Sequence, residues 1–150
     1  MDMIVAHTNN RAIGVNNTLP WKCPADMAFF VKISKQYKHL LMGRVTASGL
    51  PSLKNRTVYV MSRKSHADFC NIEEVRIFDK KTPLLVCGGA QLYKSSIELV
   101  DTLYVTQLSI DIEGADTFFP EYEDTFTKIE TIEEGVSNGI PYSIQKWKRK

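Results

Sequence analysis

Short continuous apolar runs recur along the chain, and they constrain the fold more than any other feature of the sequence. The runs are MIVAH, HLLMG, TVYVMS, VRIF, PLLVCGG and LYVTQLS. Their length and β-branched content indicate strands, and a continuous run suits a sheet that is covered on both faces. Helical patterns separate some of them, from Pro24 to about Gln36, from Ala90 to about Leu99, and more briefly after Gly43. This alternation predicts an α/β fold with a largely parallel sheet.

The last third of the chain has a different pattern. The segments FTKIETIEEG and PYSIQKWKR alternate apolar and polar residues, and VSNGIP joins them through the turn dipeptide Asn138-Gly139. This pattern predicts a β-hairpin at the edge of the sheet. We therefore expect one α/β domain over residues 1–150. Its sheet is eight-stranded and mostly parallel, with an antiparallel C-terminal edge strand and helices on both faces.

The composition argues against several classes of function. A net charge of +2 gives no support to a nucleic-acid surface. The three cysteines have no C-x-x-C spacing and the three histidines are scattered, so we expect no disulfide framework and no metal site. No signal peptide or membrane span is evident, which predicts a cytoplasmic protein with reduced thiols and no membrane partner.

An acid, Asp26, interrupts the apolar stretch LPWKCPADMAFF. Pro24 fits the first position of a helix, so Asp26 falls in the first turn, with Phe30 and Ile33 further along the same face. Two interpretations are open. A solvated acid there complements the N–H groups at the helix start, and the helix alone favours this reading. Alternatively, a buried carboxyl group faces a polar ligand.

Three segments follow predicted strands at the sheet edge where open α/β sheets bind ligands. NRAIGVNNTLPW is a long loop, which together with its flanking Trp21 favours a lid. MGRVT and VCGGAQLY are strand–glycine–helix junctions, and such junctions bind phosphate through backbone N–H groups. Ordinary turn chemistry explains each junction equally well. Two junctions in one small chain nevertheless predict an extended cofactor that carries phosphate, although neither G-x-G-x-x-G nor a P-loop occurs.

A hydroxyl and an arginine near a strand end are candidates for anion binding. Ser62 and Arg63 follow a strand that we expect to be central, and a hydroxyl beside a guanidinium suits a monophosphate. A solvated strand end is the alternative. Arg56, at the start of the same strand, indicates nothing by itself.

Six ordered motifs resemble those of dihydrofolate reductase. They are AIGVNNTLPWKCPADMAFF, LLMGRVT, RTVYVMSR, LLVCGGAQLY, LYVTQL and GADTFFPEY, and together they extend over almost the whole chain. The resemblance implies hydride transfer from NADPH to 7,8-dihydrofolate, which gives tetrahydrofolate, and it implies that antifolates bind as inhibitors. We expect a monomer.

The resemblance also implies roles around the pterin. Asp26 binds the pterin N3 and 2-amino edge, Trp21 holds a water close to Asp26, and Thr106 hydrogen-bonds Asp26 or that water. Leu19 belongs to a mobile loop that closes over nicotinamide and pterin, and these four residues are the implied catalytic set. The implied substrate-binding residues are Ile4, Val5, Asp26, Met27, Phe30, Leu53, Arg56, Cys87, Tyr93 and Thr106.

Within that set the implied roles differ. Met27, Phe30 and Leu53 line an apolar pocket, and Arg56 clamps the carboxylate of the glutamate tail. The backbone carbonyls of Ile4 and Cys87 bind the amine on the 4-carbon side of the pterin, and Tyr93 lies near the nicotinamide.

For the cofactor, the resemblance implies three groups of contacts. Ala6, Ile13 and Gly14 meet the nicotinamide end, the two glycine junctions hold the pyrophosphate, and Ser62 with Arg63 binds the 2′-phosphate, which favours NADPH over NADH. The Gly88–Gly89 peptide is typically cis in this family. The full implied set is Ala6, Ile13, Gly14, Asn17, Leu19, Gly43, Arg44, Val45, Thr46, Ser62, Arg63, Cys87, Gly88, Gly89, Ala90, Gln91, Leu92 and Tyr93.

The chain departs from the family pattern at three places. ASG follows Thr46 in place of an aromatic residue and an acid, Gln91 replaces a basic residue, and the segment 64–82 lacks one clear helix. Two other functions stay open. One is a reductase of a different pterin-like or pyrimidine-like heterocycle, such as those of riboflavin synthesis, which Asp26 argues against. The other is a non-catalytic ligand-binding module. NADPH oxidation with dihydrofolate would distinguish the three.

Overall fold

The computed structural model describes residues 1–15, 21–50, 53–64 and 66–150. Within these ranges, seven strands form the main sheet, and two more form a separate antiparallel pair. In chain order the strands are β1 (Asp2–His7), β2 (Ala12–Gly14), β3 (His39–Gly43), β4 (Thr57–Met61), β5 (Leu85–Val86), β6 (Thr102–Leu108), β7 (Thr117–Phe118), β8 (Phe126–Ser137) and β9 (Ile140–Arg149). The helices are α1 (Pro24–Tyr37), α2 (Arg44–Ser48), α3 (Ile72–Asp79) and α4 (Ala90–Ser96), with a 3₁₀ turn at Ile97–Leu99.

The main sheet is mostly parallel, as predicted. Its strand order is β4-β3-β5-β1-β6-β9-β8, and the first five strands run parallel to one another. β9 is antiparallel to both of its neighbours, and β8 forms the edge. The predicted count of eight strands is one too high for this sheet, which has seven in the described ranges, because the run VRIF forms a helix instead.

The C-terminal hairpin is confirmed. β8 and β9 pair in antiparallel register across a turn at Asn138 and Gly139, whose φ angles are 52° and 75°. Positive φ at both turn residues matches the right-handed twist of the flanking strands, which is why Asn-Gly is favoured there.

The prediction that the apolar run VRIF forms a strand is wrong, because these residues lie in α3. Asn71 caps this helix by accepting a 3.0 Å hydrogen bond from the N–H of Glu74, and Glu74 Oε1 accepts a 2.8 Å bond from the N–H of Cys70. Val75 is the buried residue of the helix. The Asn-x-x-Glu spacing at the helix start is the signal that would have identified it.

Two apolar clusters lie on opposite faces of the sheet. Along β1, Met3 and Val5 belong to one cluster and Ile4 belongs to the other, as the two-residue period of a strand requires. α1 covers the Ile4 face through Phe29 and Ile33, whereas α3 and α4 cover the opposite face. Helices therefore flank both faces, and the apolar runs of β1, β3 and β5 are buried on both sides, whereas β4 is partly exposed.

We expected the strand before Ser62 and Arg63 to be central in the sheet. This prediction is wrong, because that strand is β4, which lies at an edge of the main sheet. The order of strands depends on long-range packing, which apolar periodicity does not encode. None of the helices in the described ranges is both long and apolar enough to cross a membrane.

Candidate active site

The two glycine junctions lie side by side at the carboxyl end of the sheet. The N–H of Gly43, at the end of β3, donates a 2.7 Å hydrogen bond to the carbonyl oxygen of Gly88, and Cys87 N–H donates to Leu41 O at 2.9 Å. α2 and α4 start at these junctions, so their first turns are neighbours. The Gly88–Gly89 peptide is cis, as the family resemblance implied.

The glycine at each position keeps this junction open. A Cβ atom on Gly89 would lie 3.1 Å from Thr46 Oγ1, and Gly88 has a φ of 117°, which side chains disfavour. Gly43 and Gly89 are the N-cap residues of α2 and α4, and they have no side chain that could accept a hydrogen bond from the first-turn N–H groups. Backbone N–H groups that converge in a shallow cradle fit a phosphate-bearing cofactor.

Arg44 and Ser62 come together beside this cradle. Arg44 is the first residue of α2, and its Nε lies 3.5 Å from Ser62 Oγ. Ser62 Oγ also accepts a 3.1 Å bond from the N–H of Lys64, while Arg63 is exposed. Arg44, Ser62 and Arg63 therefore lie at the same end of the sheet as the glycine junctions.

The residues expected at the nicotinamide end lie on three elements, β1, β2 and α4. Ala6 is the penultimate residue of β1, next to His7, and Ile13 and Gly14 lie in β2. The buried Tyr93 of α4 donates a 2.7 Å hydrogen bond to the carbonyl oxygen of Ile4. Burial raises the pKa of Tyr93, so its hydroxyl stays protonated. Asn17 and Leu19 lie outside the described residues.

Asp26 lies in the first turn of α1 and is only partly exposed. Burial raises the pKa of this carboxyl group, and interaction with the Thr106 hydroxyl partly opposes the rise. Thr106 Oγ1 is itself buried and makes no hydrogen bond of normal geometry with any group in the described part of the chain. A desolvated acid beside an unsatisfied hydroxyl favours the second interpretation of Asp26, a carboxyl group that faces a polar ligand.

An apolar wall adjoins Asp26. Phe30, Leu53 and Cys87 are partly buried and pack on the cluster that contains Ile4 and Phe29. Burial raises the pKa of the Cys87 thiol, which keeps it neutral. Two predicted residues differ from this group: Met27 is 53% exposed, so it lies at the rim, and the Val5 side chain belongs to the cluster on the opposite face of the sheet.

Arg56 is held in place from two sides. Its Nη1 donates to Ser34 Oγ at 2.8 Å, and its Nε donates to the carbonyl oxygen of Lys54 at 3.1 Å. Ser34 is a buried residue of α1, the same helix that carries Asp26. Sequence reasoning missed Ser34, since a single hydroxyl in a helix leaves no periodic signal.

Trp21 is partly buried shortly before the start of α1. The neighbouring carbonyl oxygen of Lys22 accepts a 3.0 Å hydrogen bond from Asn138 Nδ2, and Ala25 N–H donates to Ser137 Oγ at 3.1 Å. Sequence reasoning placed Asn138 only in a turn and missed both contacts.

The arrangement of the described residues also bears on metal and disulfide chemistry. Within the described ranges no three His, Cys, Asp or Glu side chains cluster as metal ligands would. Cys23, Cys70 and Cys87 are free thiols.

The fold and the site define a class of protein: α/β oxidoreductases that hold a dinucleotide cofactor across the carboxyl ends of a parallel sheet, beside a cleft with a buried acid. Within that class, the chain belongs to the dihydrofolate reductase family. The family profile described as dihydrofolate reductase matches residues 1–149.

Individual relatives agree with this assignment. The chain is 34% identical to a dihydrofolate reductase of Neisseria gonorrhoeae, over 95% of this chain and 93% of the relative. It is 32% identical to that of Bacillus subtilis, over 100% and 95% of the two chains. Among solved structures, dihydrofolate reductase from Enterococcus faecalis, complexed with NADP(H) and RAB-propyl, superposes with a TM-score of 0.85 at 29% identity, covering 99% of this chain and 95% of that one.

Proposed function

We propose that this chain reduces 7,8-dihydrofolate to 5,6,7,8-tetrahydrofolate with NADPH, and that residues 1–150 form one domain with this activity. The observation that carries the proposal is the pairing of Asp26 with Thr106 at the edge of an apolar cleft. The E. faecalis relative, which was solved with NADP(H), supports the same cofactor here.

Asp26 is the proposed anchor of the pterin. A carboxylate accepts two parallel hydrogen bonds, which matches the N3 and 2-amino edge of the ring. Thr106 Oγ1 lacks a normal partner among described groups, so it is suited to bond Asp26 or a water that Trp21 holds. The carbonyl oxygens of Ile4 and Cys87 are the proposed acceptors at the other edge. Ile4 O already accepts from Tyr93, and its second lone pair can serve the pterin.

The rest of the substrate follows the apolar wall outward. Phe30 and Leu53 supply apolar contact, and Met27 covers the rim. Arg56, already oriented by Ser34, is the proposed partner of the glutamate-tail carboxylate. A guanidinium fork suits that planar anion.

The cofactor site is proposed to use the glycine cradle. The backbone of Gly43–Thr46 and of Gly88–Leu92 holds the diphosphate, with Arg44 as the nearby cation. Ser62 and Arg63 bind the 2′-phosphate, and Ala6, Ile13, Gly14, Asn17 and Leu19 contact the nicotinamide end. When bound, NADPH supplies the hydride that the reaction transfers.

The protein's own contribution is orientation and proton control. Asp26 fixes the pterin so that C6 faces the nicotinamide side of the cleft, and the apolar wall excludes bulk water. A water beside Asp26 delivers the proton to N5. The carboxylate favours that proton electrostatically.

The direct test follows NADPH absorbance with dihydrofolate, with and without a 2,4-diaminopteridine inhibitor. Oxidation that needs dihydrofolate and is blocked by the inhibitor supports the proposal. NADPH oxidation only with another heterocycle would favour a different reductase, and binding without turnover would favour a non-catalytic module.

We also propose a cytoplasmic monomer. The three free thiols favour a reducing compartment. Sedimentation equilibrium of the purified chain checks the oligomeric state, and a dimer mass would contradict the proposal.

A further inference from the structure

The turn of the β8–β9 hairpin contacts the start of α1. Ser137, the last residue of β8, accepts a 3.1 Å hydrogen bond on its Oγ from the N–H of Ala25. Asn138, the next residue, donates from Nδ2 to the carbonyl oxygen of Lys22 at 3.0 Å. The hairpin thus bonds the backbone on both sides of the Cys23–Pro24 step.

The first turn of α1 needs an acceptor from outside the helix. Cys23, the N-cap residue, makes no side-chain cap, and Pro24 has no N–H. The N–H groups of Asp26 and Met27 already bond to the carbonyl oxygen of Cys23, at 3.0 and 3.2 Å. The N–H of Ala25 is therefore the donor that, in other helices, bonds to the side-chain oxygen of an N-cap Ser or Asp.

Ala25 directly precedes Asp26. A first turn that lacks its cap frays, and the carboxyl group at its third position moves with it. We propose that Ser137 is a positioning residue for substrate: it caps α1 from the hairpin and so holds the Asp26 carboxylate against Thr106 and the pterin edge. Asn138 supports this positioning by holding the carbonyl group of Lys22, the residue after Trp21. The inference rests on the proposed function, because it takes Asp26 as the pterin anchor.

The test uses one deletion, one rescue and one control. Ser137→Ala removes the cap, and Ser137→Thr keeps the hydroxyl on a residue that suits a strand. Ser143→Ala is the matched control, because Ser143 lies on β9 of the same hairpin and accepts from Gln145 Nε2 at 3.1 Å, away from α1. Asn138→Gly removes the second bond while keeping the positive φ of the turn.

The first measurement needs no ligand. Hydrogen exchange of the Ala25 amide is expected to be about tenfold faster in Ser137→Ala than in the wild type, and unchanged in Ser143→Ala. Equal exchange in the wild type and Ser137→Ala would overturn the proposal, because the bond would then protect nothing.

The second measurement is equilibrium binding of a 2,4-diaminopteridine together with the KM for dihydrofolate. In Ser137→Ala the affinity for the diaminopteridine is expected to fall, and the KM for dihydrofolate to rise, by roughly threefold to tenfold. Both values recover in Ser137→Thr and change less in Asn138→Gly. The Kd for NADPH stays within twofold of the wild type (about 0.4 kcal/mol).

Two outcomes of the binding measurements also contradict the proposal. In one, Ser137→Ala binds the diaminopteridine as the wild type does; in the other, NADPH affinity falls by the same factor, which indicates general damage. If Ser137→Ala fails to fold, the proposal is overturned instead when Asn138→Gly binds the pteridine as tightly as the wild type does. A wild-type protein that binds no pteridine at all contradicts the proposed function, whereas a wild type that binds while the variants do not differ contradicts only this inference.

Discussion

The backbone N–H of Gly43 donates a 2.7 Å hydrogen bond to the carbonyl oxygen of Gly88. This bond ties the end of β3 to the segment after β5, so two helix starts become one cradle. Its width depends on the absence of side chains at the glycines that face it.

Gly89→Ala is therefore expected to weaken NADPH binding. Its new Cβ atom would lie 3.1 Å from Thr46 Oγ1, which pushes α2 away from α4. Overpacking of this kind costs about 1–3 kcal/mol. Gly49→Ala is the control, since its Cβ atom makes ordinary contacts at 3.6 Å. Fluorescence titration with NADPH measures the change, and equal affinity for the two variants would mean that the cradle does not hold the cofactor.

Asp26→Asn is expected to keep the fold but to slow turnover severely at neutral pH. Asparagine offers an N–H where the pterin needs a second acceptor, and it lacks the charge that favours a proton on N5. At lower pH the substrate becomes protonated in solution, so the rate of the variant climbs. The measurement is kcat/KM against pH, with circular dichroism as the folding control. Wild-type turnover in the folded variant at pH 7 would leave Asp26 as a simple helix-start acid.

The same substitution is expected to stabilise the protein at neutral pH. The pKa of Asp26 is raised above 3.8 by burial, so the folded wild type binds more protons than the unfolded chain over that interval. Wild-type stability consequently falls as pH rises from 3.8 through the folded pKa, and Asn avoids that loss. Urea unfolding of both proteins across this pH range is the check. The predicted sign is contradicted if the variant is less stable than the wild type at neutral pH, or if its greater stability persists below pH 3.8.

Arg56→Leu is expected to weaken folate and antifolates that carry a glutamate, by about 2–5 kcal/mol, because it removes a charge-assisted pair. Small diaminopyrimidines without a carboxylate should bind as before. Inhibition constants for both classes provide the measurement. Equal losses in the two classes would show that Arg56 serves only to anchor Ser34 and β4.

Changing Ser62 and Arg63 together to Ala is expected to narrow the preference for NADPH over NADH. The specificity constant for NADPH falls because its 2′-phosphate loses a hydroxyl and a guanidinium, while that for NADH changes little. Lys64→Ala, which removes a cation next in the chain, is the comparison. An unaltered NADPH-to-NADH ratio in the double variant places the 2′-phosphate elsewhere.

The parts of the fold that were predictable are those with a local cause. Continuous apolar runs identified the strands because both faces of the sheet are buried, and Pro24 identified the start of α1. VRIF was misassigned because a four-residue apolar run fits either element, and the Asn71 and Glu74 cap decided the outcome. The edge position of β4 has no local signature at all.

The site shows the same division. The glycine junctions and Asp26 stand out in the sequence because their residue types are unusual for their positions. The bonds from Ser137 to Ala25 and from Arg56 to Ser34 do not stand out, since each joins distant segments through a single hydroxyl. Only the folded chain brings those groups within reach.

β1 is the first strand in the sequence, yet it lies between β5 and β6 in the middle of the sheet. Both of its neighbours come from later in the chain, and Ala6 pairs directly with Thr106. During synthesis, the helix that carries Asp26 and the Gly43 junction leave the ribosome before either neighbour of β1 exists. The centre of the sheet and the acid–hydroxyl pair of the site therefore form only through long-range pairing, which we expect to slow folding.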